Sequence, residues 1–98
     1  MRLSESYVRQ IKAAAAQSFG ADAVVRLFGS RVDDAARGGD IDLHIEASPE
    51  AADLDHELRF RTLIWQHLDE PQIDVVVHAR GTPPRWIDRA ALREGVVL

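Results

Sequence analysis

The stretch "LFGSRVDDAARGGDIDLHIE", residues 27–46, decides how this chain is read. A strand-like apolar run beginning at Ala23 stops at Gly29-Ser30, a loop follows, and Asp40 and Asp42 then flank a single Ile41. From Asp40 to Glu46 the residues alternate strictly. Asp40, Asp42, His44 and Glu46 fall on one face of a strand, and Ile41, Leu43 and Ile45 fall on the other. The apolar set belongs to a core, so the opposite face gathers carboxylates.

Working outward, residues 4–19 are expected to form a helix. Ser4 can cap it, Val8, Ile11 and Ala15 share a face, and Gly20 can end it. Residues 23–28 are a short buried strand. Residues 30–38 form a short helix or an irregular loop closed by Gly38-Gly39. Ser48-Pro49 has the chemistry of an N-cap followed by a first-turn proline, which predicts a helix from there to about Leu68. Leu54, Leu58, Ile64, Trp65 and Leu68 are expected to supply most of its apolar stripe. "QIDVVVH", 72–78, is a further strand, with Ile73, Val75 and Val77 on one side and Asp74, Val76 and His78 on the other. "TPP", 82–84, is a loop, residues 84–94 are a last short helix ended by Gly95, and "VVL" is an edge strand or packing tail. The expected fold is α/β (α+β): one domain over 1–98, a small mixed β-sheet with helices packed on it.

The composition narrows the function. Hydrophobic residues make up 46% of the 98, enough for one core. A formal net charge of -4 argues against broad nucleic-acid binding, which needs a basic surface. The absence of cysteine excludes disulfides and thiolate metal sites. No apolar run approaches the ~20 residues of a membrane span, and no signal-peptide core is visible, so a cytoplasmic protein is expected.

Asp74 begins its strand on the side opposite that strand's apolar face, as Asp42 does. If the two strands are neighbours, Asp40, Asp42 and Asp74 converge. Three carboxylates at one place repel one another unless cations sit between them. Hard oxygen ligands of this kind suit Mg2+ or Mn2+, and two such ions serve in-line displacement at phosphorus. Gly29 lets the backbone approach a ligand closely, Ser30 offers a hydroxyl and N–H groups to phosphate oxygens, and Arg31 adds charge to the β- or γ-phosphate. The bland alternative for the Asp-x-Asp pair alone is a solvated strand face.

Gly29-Ser30, Asp40-x-Asp42 and the later "QIDVVVHA" together resemble the minimal nucleotidyltransferases of the DNA polymerase beta superfamily. The spacer between Ser30 and Asp40 is nine residues, 31–39, which is similar to a short-loop subgroup of that family. The resemblance implies a nucleotidyltransferase fold and a reaction. A nucleoside triphosphate, ATP foremost, binds through Gly29, Ser30 and Arg31, with Asp40 and Asp42 holding two Mg2+ or Mn2+ ions. Asp74 ligates the catalytic ion and helps activate an acceptor hydroxyl. That hydroxyl takes the nucleotide, and pyrophosphate leaves. The resemblance also implies a small all-helical partner, either a substrate-binding subunit or a HEPN-like toxin that the nucleotidyltransferase modifies as its antitoxin. Two alternatives remain: a non-catalytic binding module that neutralises such a partner by contact, and a metal-dependent phosphodiesterase or nuclease.

Other residues make weaker claims. His44 and His78 are read as half-exposed strand histidines, with a phosphate or metal-water contact as the alternative. His56 and His67 are read as helix-surface residues, and Glu46 as a solvated strand end. Arg85, Arg89 and Arg93 recur every four residues as a basic stripe, and Arg37 keeps the loop soluble or reaches the triphosphate. Trp65 and Trp86 are read as core or interface anchors, with Trp86 the better candidate for an exposed partner contact.

Overall fold

A computed structural model describes residues 5–29, 41–67 and 73–98. Three helices and four strands follow the order α1 (Glu5–Phe19), β1 (Val24–Phe28), β2 (Ile41–Ala47), α2 (Leu54–His67), β3 (Ile73–Ala79), α3 (Trp86–Glu94) and β4 (Val96–Val97). The strands form one mixed sheet in the order β3-β2-β1-β4. The β1–β2 and β1–β4 pairs are antiparallel, and β2 and β3, joined through α2, are parallel. This is the small α+β sheet-and-helix architecture that the alternation predicts. No helix among the described residues is long and apolar enough to cross a membrane.

The core lies on one face of the sheet. Ile41, Leu43 and Ile45 of β2 are fully buried there with Leu27 of β1, beneath Ile11 of α1 and Phe60 of α2. The rings of Phe19 and Phe60 join the two helices, with centroids 5.8 Å apart. α1 ends at Gly20, whose φ of 104° and hydrogen bond to the Ala16 carbonyl close the last turn. α3 covers part of the opposite face, and β4 seals the outer edge of β1.

α2 departs from the sequence reading twice. It starts at Leu54, because Asp53 rather than Ser48 caps it: the Asp53 carboxylate accepts the His56 backbone N–H at 2.9 Å. Ser48-Pro49 instead opens a turn closed by the Ala51 N–H on the Ser48 carbonyl. The buried stripe of α2 is Phe60 and Ile64, while Leu54 and Trp65 are each 65% exposed and Leu58 is 50% exposed. Leu68 lies outside the described residues.

Candidate functional site

Gly29, Asp42 and Asp74 meet at one end of the sheet. β1 runs out there at Phe28, which pairs with Asp42, and Asp42 in turn stands at the register of Asp74 on the parallel neighbour. Adjacent strands lie about 4.8 Å apart, and residues paired at one register point to the same face. The flanking Ile41 and Leu43 are buried towards α1 and α2, so Asp42 and Asp74 face the other way, Asp42 half-buried and Asp74 exposed. Gly29 is needed at this corner for two reasons. Its φ of 81° is a left-handed conformation. A Cβ in its place would collide with the carboxylate of Asp42, so the bare backbone lies directly against that group.

Ser30, Arg31, Arg37 and Asp40 lie outside the described residues. The structure therefore brings together Gly29, Asp42 and Asp74 of the expected site. Among the described residues there is no group of three or more histidine, cysteine or acidic side chains arranged to hold a metal ion. The Asp42–Asp74 pair supplies two carboxylates of the hard-oxygen kind that a divalent cation takes. The residues present fit such an ion in chemistry and register.

Two residues further along β2, on the same face, the surroundings change. His44 is fully buried, not half-exposed as expected, because α3 crosses the sheet at this point. Asp88, in the first turn of α3 and also fully buried, accepts a hydrogen bond from His44 Nε2 at 2.8 Å. The same carboxylate accepts the Arg85 backbone N–H at 2.8 Å and is gripped by the Arg85 guanidinium at 2.9 and 3.1 Å. Burial pushes the Asp88 carboxyl up. The hydrogen bonds from Arg85 and His44 outweigh it and hold the group well below the usual carboxylate range. The Arg85 guanidinium is pushed up by its bond to Asp88. Asp88 is therefore ionised, and Nε2 of His44 carries the shared hydrogen.

His78 is buried as well, with Nε2 3.1 Å from both the carbonyl and the hydroxyl of Thr82. Its Nδ1 lies 3.8 Å from Glu46, which is half-buried rather than a solvated strand end. His56 is half-buried and paired with Asp53.

Arg85 is thus not part of a free basic stripe. It caps α3, binds Asp88 and donates to the Val77 carbonyl at 2.8 Å. Arg89 and Arg93 are exposed, and so is Trp86, at 74%. Sequence reasoning did not single out Asp88. The local signal was the Arg85-x-x-Asp88 spacing at a helix start, but its contact with His44 spans 44 residues and carries no local pattern.

No family model matches the chain, and no curated protein matches it.

Proposed function

We propose that the Asp42–Asp74 end of the sheet is the centre of a metal-dependent nucleotidyltransferase. The observation carrying this reading is the shared register of Asp42 and Asp74 on parallel strands, with the backbone of Gly29 against Asp42. The resemblance of Gly29-Ser30, Asp40-x-Asp42 and Asp74 to the minimal nucleotidyltransferases of the DNA polymerase beta superfamily points the same way.

In this reading the backbone at Gly29 and the Ser30 hydroxyl hold the triphosphate, and Arg31 adds charge beside it. Asp40, Asp42 and Asp74 would hold two Mg2+ or Mn2+ ions, which neutralise phosphate charge and orient the reacting oxygens. Asp74, exposed at the rim, accepts a hydrogen bond from the acceptor hydroxyl and helps remove its proton. The hydroxyl oxygen attacks the α-phosphorus of the nucleoside triphosphate, ATP foremost. The bond to the β-phosphate oxygen breaks, pyrophosphate leaves, and the nucleotide stays on the acceptor. Catalysis of this kind is chiefly positioning and charge neutralisation. The acceptor is a hydroxyl on, or presented by, a small helical partner of the HEPN-like kind.

The test is thermal unfolding with Mg2+ or Mn2+ and each of the four nucleoside triphosphates, alongside Asp42→Asn. A ligand that binds only the folded state raises its stability by RT ln(1 + [L]/Kd). The expected result is a rise requiring both metal and triphosphate, and absent in the variant. Equal shifts in both proteins would overturn the assignment of the site.

A second reading, a non-catalytic module that neutralises a helical partner by contact, draws its support from Trp86, 74% exposed at the start of α3. It requires that the Asp40→Asn, Asp42→Asn double variant still neutralise the partner and that Trp86→Ala not.

A further inference from the structure

We propose that Arg61 and Arg85 guard the outer edge of the sheet: their guanidinium groups occupy the β3 carbonyls that a second copy of this chain would otherwise pair with. The order β3-β2-β1-β4 gives β3 one side with no strand beside it among the described residues. That edge is seven residues long, Ile73–Ala79, and reads IDVVVHA. Val75, Val76 and Val77 favour extended backbone, Asp74 is the one formal charge with His78 neutral, and no proline interrupts the run. An uncovered run of this kind is a template for strand addition between molecules. The opposite edge carries less risk, because β4 is two residues long.

The ladder decides which groups of β3 face outward. Ala47 stands at the register of Ala79, and its carbonyl accepts the Arg80 N–H at 2.7 Å. Bonding residues alternate along each strand of a parallel pair, so Asp74, Val76 and His78 turn their peptide groups to β2. Ile73, Val75, Val77 and Ala79 turn theirs away. Each of those four carbonyls has a donor within the chain. Arg61 places Nη1 3.5 Å from the Ile73 carbonyl oxygen and Nη2 3.5 Å from that of Val75. Arg85 Nη2 donates to the Val77 carbonyl at 2.8 Å. The Thr82 N–H and hydroxyl donate to the Ala79 carbonyl at 3.1 and 2.7 Å.

The two arginines reach the edge from opposite faces of the sheet. Arg61 follows the core residue Phe60, which sets it about 100° round α2 from the core-facing side, over the flank of the sheet. Its Nε donates to Glu57 at 3.1 Å, which aims the fork at the edge. Arg85 arrives at the start of α3, with its guanidinium also held by Asp88. A planar fork serves two carbonyls one strand repeat apart, which a single ammonium does not. An incoming strand has to displace these charged donors, and a second copy would bring its own guanidiniums to the same seam, where like charges repel. The guard is independent of the reaction proposed at Asp42 and Asp74.

The test removes the fork and leaves the helix. Sedimentation velocity of Arg61→Gln is compared with that of the parent and of Arg59→Gln, which loses the same charge from an exposed position of α2. The parent and Arg59→Gln are expected to stay monomeric to several hundred micromolar, and Arg61→Gln to associate at concentrations at least about tenfold lower. Amide hydrogen exchange on the folded, associated variant locates the seam. The outward Val75 and Val77 amides are expected to gain at least about tenfold protection on association, while the inward Val76 amide does not change. Arg61→Met keeps the packing of the arginine stem and carries the same expectation where the glutamine variant loses its fold. Arg61 variants that are folded and monomeric over this range overturn the proposal, and unfolding of both assigns Arg61 to the fold instead of the edge and overturns it as well. Association of Arg59→Gln to the same extent has the same consequence, as does association of an Arg61 variant without protection of Val75 and Val77. A parent chain that itself joins through those amides also overturns it.

Discussion

Asp88 of α3 and His44 of β2 share a hydrogen bond of 2.8 Å between two fully buried side chains. This bond fastens α3 across the face of the sheet that also carries Asp42 and Asp74. It divides that face into a covered part, with His44 and His78, and an open rim, with Asp42 half-buried and Asp74 exposed. The helix thereby shields the polar middle of β2 while leaving the carboxylate end accessible.

Removing the carboxylate should show how much the fastening contributes. Asp88→Ala leaves the buried His44 Nε2–H without an acceptor and releases the Arg85 guanidinium. The expected loss is about 1–3 kcal/mol of unfolding free energy, since a buried donor left unpaired is costly, while the half-exposed Arg85 guanidinium returns to water. Asp88→Asn keeps an oxygen for His44 and should lose less. Urea unfolding measures both, and a change within about 0.5 kcal/mol for the alanine variant would mean the contact is energetically idle.

The same group makes stability fall in acid. Asp88 stays ionised in the folded chain to lower pH than in the unfolded chain, where a carboxyl titrates near 3.9 on average. The unfolded state therefore takes up the proton first. The contribution of Asp88 is complete above about pH 5 and drains away below it, towards the depressed folded value. Melting temperature is expected to fall between roughly pH 5 and pH 2, and to fall less steeply in Asp88→Asn. Parallel profiles for the two proteins would assign the acid sensitivity to other groups.

The two sides of α2 make opposite predictions. Phe60, fully buried against Phe19, should lose about 3–5 kcal/mol on replacement by alanine. Leu54→Ala and Leu58→Ala, at exposed positions of the same helix, should stay within about 0.5 kcal/mol of the parent. Chemical denaturation at low micromolar concentration separates the cases. A large loss at Leu58 would return that residue to the core.

The residues that were legible in the sequence are those whose signal is local. The alternation from Asp40 to Glu46 and the "IDVVV" run gave β2 and β3 with their core-facing sets, and a glycine after β1 marked the corner where Asp42 lies. The start of α2 was misplaced because Ser48-Pro49 and Asp53 both have cap chemistry, and the Ser48–Ala51 turn together with the Asp53–His56 cap bond decides between them. Its buried face was only partly assigned: Ile64 is in the core as expected, but Leu54, Leu58 and Trp65 are exposed and Phe60 takes the central place, because apolar residues on two sides of a helix leave open which side the sheet covers. The burial of His44 was invisible for a different reason. Strict alternation implies a solvated polar face only for a sheet covered on one side, and α3 arrives from far along the chain to cover the second.

Gly29 gives the most local test of the candidate site's geometry. Alanine there meets two obstacles at once: a φ of 81°, which an L side chain rarely adopts, and the carboxylate of Asp42 where its Cβ must go. The conformational part alone is worth about 1–3 kcal/mol. The collision must also push Asp42 away from its register with Asp74 or move the β1 corner. Gly29→Ala should therefore do two things that Gly81→Ala, also at positive φ but with open space around its Cβ, does not do together. Both should lose stability, measured by urea unfolding. Gly29→Ala alone should also lose the thermal shift produced by metal with triphosphate. Retention of a full shift in a destabilised Gly29→Ala protein would separate this corner from ligand binding and would weigh against Asp42 as the group that holds the ions.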